Sequence, residues 1–289
     1  MRDEDDTETY ILLLLSDSNL PTGSFVASSG LESYLKHGLA SAAPSADAAT
    51  IDFIRDSLAS YARSALPFVS DAHREVLDYA LDKDEGGFEV GMDEKLNGIL
   101  KTLTDLDELY QAMTLNHVAR RASMSQGVAL LTLYSKGFSR PPSLSAFSGA
   151  ESRAHESQMR KLLDQFKLMV RKQEVFGHLP ICWGALTAAL GLALERSQYL
   201  HLFLHARSLL SASVRLNDLG PYGAQQILLH AVRPLVAAEA TRCRDLRTGL
   251  LDSSAECFDA VTLGPANTWP LGEILAGRHD LQHSRIFNS

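Results

Sequence analysis

Apolar residues recur at three- and four-residue intervals along most of this chain, which is the signature of helices burying one face. Ile51, Ile54, Leu58, Tyr61, Ala62, Ala65 and Leu66 form one such series, with Asp47 placed to cap it and Pro67 to stop it. Leu96, Leu100, Leu103, Leu106, Tyr110, Met113 and His117 run on to Val128, Leu131 and Leu133, predicting a long helix with an irregularity near Gly127. Met159, Leu162, Leu163, Phe166, Met169 and Val170 predict a helix whose opposite face carries Arg160, Lys161, Lys167, Arg171 and Lys172, a stripe that a solvated surface accounts for. Leu200 to Leu216 predict another helix, closed by Asn217 to Pro221, and Ala224 to Ala240 the next, which Pro234 should kink or shorten.

No stretch alternates with the two-residue period of a half-buried strand, so the expected fold is all-α, a single multi-helix, bundle-like domain. Asp84 to Gly91 and Gly137 to Gly149 read as exposed loops from their Gly, Pro and Ser content. The first lies inside the domain, because the amphipathic helices on both sides of it need partners. The expected division is an acidic, flexible lead at 1–9, a helical domain at 10–270 and a docking tail at 271–289.

A chain of 289 residues, 45% apolar, can bury a sizeable core. Its net charge of -8 removes the attraction for nucleic acid that a basic domain would show. Cys182, Cys243 and Cys257 are odd in number and far apart, which fits a reducing compartment and small buried hydrophobes better than a disulfide framework. The acidic opening Asp3-Glu4-Asp5-Asp6 is unlike a secretory or mitochondrial signal. Leu179 to Leu194 is free of charge but short of the ~20 residues of a membrane span, and is read as a buried helix. The expected protein is cytoplasmic, with no membrane and no nucleic acid among its partners.

Phosphate-loop, dinucleotide, nucleophile-elbow and His-Glu-x-x-His motifs are all missing, which counts against an enzyme without removing one built on dispersed residues. His201 and His205 share one helix face a turn apart and are the candidates for a metal, without a third ligand at a recognisable spacing; hydrogen-bonded packing residues are the plainer reading, and no metal site is assigned. Arg153, His155 and Glu156 read as exposed ion pairing. Tyr222, Gln225 and Gln226 open a helix after Gly220-Pro221, where free amides could meet an anion or simply be capped. The C-terminus closes on His283-Ser284-Arg285-Ile286-Phe287, a forked charge beside large apolar groups, which is the chemistry of an interface anchor. Such a tail is expected to dock on a partner, and its removal to leave the helical core folded; a tail that instead folds back on its own helices would lower thermal stability when removed.

Five segments carry a resemblance. Ser16 to Phe25 holds Leu20-Pro21-Thr22-Gly23-Ser24, where Pro21 and Gly23 make a tight turn and Ser24 can cap the helix bearing Leu31, Tyr34 and Leu35; Ser28-Ser29-Gly30-Leu31-Glu32 follows. Asn116 to Ser123 with Gln126-Gly127, Phe176 to Pro180, Ser211 to Leu216 with Gly220 to Gln226, and the tail complete the set. In this order they resemble the UreF family of urease accessory proteins, in a form similar to eukaryotic members. Asp280, His283 and Ile286 stand where the family commonly has Glu, Tyr and Leu.

The resemblance implies an all-α homodimer without activity of its own, a chaperone-like scaffold in nickel insertion. It implies binding of a UreD or UreH protein, recruitment of the UreG GTPase to apo-urease, and passage of nickel through the assembled complex with no cofactor held stably. Pro21, Gly23, Tyr222, Gln225, Gln226, His283, Arg285, Ile286 and Phe287 are the residues expected to meet partners. Two other classes compete: a helical small-molecule enzyme using His178, His201 and His205, and a membrane-associated protein built on residues 179–194.

Overall fold

In the computed structural model, residues 2–17, 20, 27–81, 89–141, 143–144, 150–251 and 258–288 are described; side chains are described from Asp6 in the first helix, from Asp93 in the fourth and from Arg153 in the sixth. No strand occurs among them, and the chain is all-α as its periodicity predicts. The helices are α1 (Arg2–Leu15), α2 (Leu31–Lys36), α3 (Ala46–Leu81), α4 (Glu89–Met113), α5 (His117–Leu133), α6 (Ala150–Arg171), α7 (Leu179–Ala189), α8 (Leu194–Arg215), α9 (Pro221–Ile227), α10 (Arg233–Cys243) and α11 (Pro270–Gly277). The expected lead at 1–9 falls within α1 from Arg2 onward. Contacts divide the chain into two compact units.

The first unit comprises residues 1–23, 68–113 and 123–194. Its α7 is buried from Pro180 to Ala189, so the charge-free run is a core helix. Among the described residues no helix is long and apolar enough to cross a membrane. Gly184 lets α7 press on α3: a Cβ there would lie 2.5 Å from the Val69 carbonyl oxygen. Gly127 does not disturb α5. It sits inside the helix, where a Cβ would fall 2.1 Å from the Gly177 carbonyl oxygen, so a small residue is required by close approach. The expected break comes earlier, at 114–116, between α4 and α5. Beyond α5, Tyr134–Phe138 form a π-helical turn that takes in the first two residues of the loop expected at 137–149, and Glu89 to Gly91 of the other expected loop open α4; 82–88, 142 and 145–149 lie outside the described residues.

The second unit comprises residues 24–67, 114–122 and 195–289. Its part of α3 is capped by Ser45, whose Oγ accepts the Ala48 N–H at 3.1 Å, with Asp47 within the first turn rather than at the cap. Pro67 does not end the helix. A proline in mid-helix frees the carbonyl four residues before it, here that of Arg63, and the Ala266 N–H donates to that oxygen at 3.4 Å. A distant segment therefore supplies what Pro67 removes, and α3 runs on to Leu81. Pro234 does alter its helix as expected: Leu228–Val232 widen into a π-turn, and α10 restarts with Pro234 in its first turn. Asn217 leaves α8 in the left-handed region at φ 59°, which ends that helix where predicted.

Candidate partner-docking surface

The tail lies against α2 through one buried carboxylate. Glu32 is fully buried, and its oxygens accept the Ile286 N–H at 2.8 Å and the Phe287 N–H at 3.4 Å, with the Lys36 ammonium at 3.0 Å. Lys36 also donates to the Ser284 carbonyl, and His279 Nε2 lies 3.0 Å from the Phe287 carbonyl oxygen. A buried charge is tolerated only when its lone pairs are filled, and here two tail amides and an ammonium fill them. Gly30 makes the geometry possible: it enters α2 at φ 89°, and a Cβ on it would come within 3.1 Å of the Ala276 nitrogen in α11.

A second, more exposed node fixes the outer turn. Asp280 accepts two hydrogen bonds from Arg121, at 2.8 and 3.1 Å, and one from Arg285 at 3.0 Å, with His117 Nε2 at 3.0 Å. The Arg121 guanidinium first, and His117 after it, hold the Asp280 carboxyl well below the usual carboxylate range. Arg121 reaches on to the Asn288 carbonyl at 2.8 Å. Asn116 completes the frame. Its Oδ1 accepts the Val118 and Ala119 amides at the start of α5, while its amide donates to the Glu273 carbonyl of α11 at 3.0 Å.

The expected anchors therefore part company. Phe287 is only 4% exposed and packs within its own chain, whereas Ile286 is 59% and Leu281 78% exposed. Arg285 spends its fork on Asp280, and His283 is exposed. Tyr222, Gln225 and Gln226 are exposed on α9, Tyr222 at 88%. Pro21 and Gly23, like Ser24 and Cys257, lie outside the described residues. The contributions of Glu32, Arg121 and Asp280 escape a reading by residue type, because an acidic residue in a first helical turn and an Arg among alanines look ordinary.

The histidine pair faces two hydroxyls of α3. The Tyr61 hydroxyl lies 2.9 Å from His201 Nε2, the Ser57 oxygen lies 2.9 Å from His205 Nε2, and the Tyr61 ring stacks on His205 at 4.0 Å. Burial pushes His201 down to about 3 and His205 to about 4, so both imidazoles are neutral at pH 7. Among the described residues no group of three or more His, Cys, Asp or Glu is arranged to hold a metal ion. Cys182 and Cys243 are buried free thiols. His178, in the first unit, is buried with its Nε2 2.8 Å from the Gln111 oxygen. Glu156 is paired with Arg140 at 2.7 Å.

A pH dependence follows from the depressed pair. Unfolded, both histidines titrate near their ordinary 6.5, so the unfolded chain binds more protons between that value and about 4. Their contribution is complete above pH 6.5 and is lost on acidification, by about 3–4 kcal/mol from pH 7 to 5. Asp107, raised by burial to about 6, slopes the other way and returns about 1 kcal/mol over the same interval. Urea unfolding at pH 7 and pH 5 should show a net loss of about 2–3 kcal/mol, and H201Q/H205Q should reverse its sign. An unchanged slope in that variant would refute the assignment.

The segments singled out in the sequence are mostly devices of the fold. Ser213 and Thr50 donate to Asp218 at 3.0 Å each, and Ser123 accepts the Leu179 amide at 3.0 Å. Comparison with known proteins places the chain. The sequence model of the UreF family matches residues 45–232. Urease accessory protein 6 of Cryptococcus neoformans is 41% identical, over 98% of this chain and 97% of its own. A UreF-like urease accessory protein of Schizosaccharomyces pombe is 30% identical over 98% of both chains, and urease accessory protein F of Arabidopsis thaliana 29% identical over 95% and 90%. A family match over more than half of the chain, joined to end-to-end similarity with these relatives, means that the chain belongs to the UreF family of urease accessory proteins.

Proposed function

We propose that this chain is a non-enzymatic adaptor for urease maturation in the cytoplasm. As a homodimer it binds a UreD/UreH-like protein, and the pair recruits a UreG-like GTPase to apo-urease so that nickel is inserted. Nickel passes through the assembly without a stable site on this chain. The observation that carries the reading is the tail, whose backbone is held by Glu32 and Arg121 while Ile286 and Leu281 face outward. Apolar groups on an ordered scaffold lose little conformational entropy on binding, which favours a stable contact.

Co-purification of the tagged chain with a UreD-like protein, and of that pair with a UreG-like GTPase, tests the proposal. The isolated chain is expected to hydrolyse no GTP above the buffer rate, because it has no phosphate loop of its own. GTP turnover that tracks this chain through two purification steps would overturn the adaptor reading.

A further inference from the structure

The molecule carries a net charge of -8, yet α6 presents a cationic groove. Lys161, Asp164, Gln165, Lys167, Leu168 and Arg171 line an open depression of about 420 Å³ in the first unit. Residues 161, 164, 168 and 171 follow the helical repeat, so the groove extends along α6 for about 15 Å. Its charges are unevenly balanced. Asp164 is already taken up by the Ser135 hydroxyl at 2.9 Å and by Arg160 at 3.5 Å, and Lys161 reaches Asp93 at 2.8 Å. Lys167 has a neutral contact, the Ser135 oxygen at 3.1 Å, and Arg171 has no carboxylate partner among the described residues. Two cations one turn apart thus remain uncompensated, beside an apolar Leu168 that is 42% exposed.

We infer that this groove is a docking site for an acidic polypeptide segment, one presenting several carboxylates along an apolar residue. A single small anion gains little here, since the groove is open and each exposed ion pair in water contributes about 0–1 kcal/mol. A segment spanning ~15 Å adds several such contacts, and its apolar side chain covers Leu168. Nucleic acid is the less favoured polyanion, because a sugar-phosphate backbone offers no apolar side chain to cover Leu168. The inference concerns a different surface from the tail and stands whether or not the tail binds a UreD-like protein.

The test uses the full chain and a fluorescent octaglutamate peptide carrying one central leucine, followed by anisotropy between 50 and 200 mM salt. K167E/R171E and the milder K167A/R171A are compared with K101E/R233E and K101A/R233A, which change net charge by the same amounts at exposed sites elsewhere. Binding is expected to weaken at least tenfold in both groove variants, to change less than twofold in either control, and to fall with salt. Unaltered melting temperature in K167A/R171A separates lost docking from lost folding. No binding by the wild-type chain, equal loss in the matched control, or tighter binding of a single-stranded oligonucleotide of the same charge would each overturn the inference.

Discussion

Asp107→Ala is expected to lower the unfolding free energy by about 4 kcal/mol, among the largest effects of any single substitution in the first unit. Asp107 is fully buried on α4, and its two oxygens accept three consecutive backbone amides, from Phe176 at 2.8 Å, Gly177 at 3.0 Å and His178 at 2.7 Å. Those amides belong to the turn that leads into α7, and Gly177 holds φ 75° within it. Without the carboxylate, buried N–H groups lose their acceptor, at about 1–3 kcal/mol each before relaxation. Burial raises Asp107 to about 6, ahead of the opposing pull of the three amides, so the group is mostly ionised at pH 7.5 and the bonds are charge-assisted there. Asp107→Asn keeps one acceptor and should cost about half as much. Equilibrium urea unfolding at pH 7.5 decides it, and a loss below 1 kcal/mol for the alanine variant would mean that the turn holds by packing alone.

Deleting residues 279–289 is expected to destabilise the second unit by about 4–6 kcal/mol, from lost burial of Phe287 and a Glu32 carboxylate stripped of its tail amides. The sequence offered two outcomes, a docking tail whose loss leaves the core folded and a tail packed on its own helices whose loss lowers stability; the buried Phe287 and the Glu32 contacts favour the second. Truncation therefore mixes folding with binding. Ile286→Asp separates them: its side chain is 59% exposed, so the melting temperature should move by less than 2 °C, while affinity for a UreD-like partner should fall tenfold or more. Wild-type affinity in that variant would remove Ile286 from the interface. A truncated chain melting like wild type would show that the Glu32 contacts carry little energy.

The helices were legible because each buries a face whose spacing repeats every 3.6 residues, a property each segment carries alone. α6, α7 and α8 lie where their apolar residues put them. Pro67 misled for a physical reason. The penalty of a mid-helix proline is an orphaned carbonyl, and whether that carbonyl stays orphaned depends on Ala266, some two hundred residues away. Gly127 misled likewise, since a glycine that permits contact with the Gly177 carbonyl looks in sequence like one that breaks a helix. In the tail, Arg285, Ile286 and Phe287 were chosen by residue type, which cannot say which of two adjacent apolar groups turns inward. Glu32 makes that choice by fixing both of their amides from 254 and 255 positions away.

The sequence by itself determined the all-α class, the positions of the amphipathic helices and, through its ordered segments, the family. These rest on local periodicity and on residues that must be small, turn-forming or capping wherever they stand. Tertiary structure alone decided that α3 continues through its proline, that the C-terminus is built into the fold with Ile286 outward and Phe287 inward, and that His201 and His205 meet hydroxyls of α3. Each of those outcomes depends on a donor or acceptor supplied from far along the chain, and no local pattern records where such a partner will arrive.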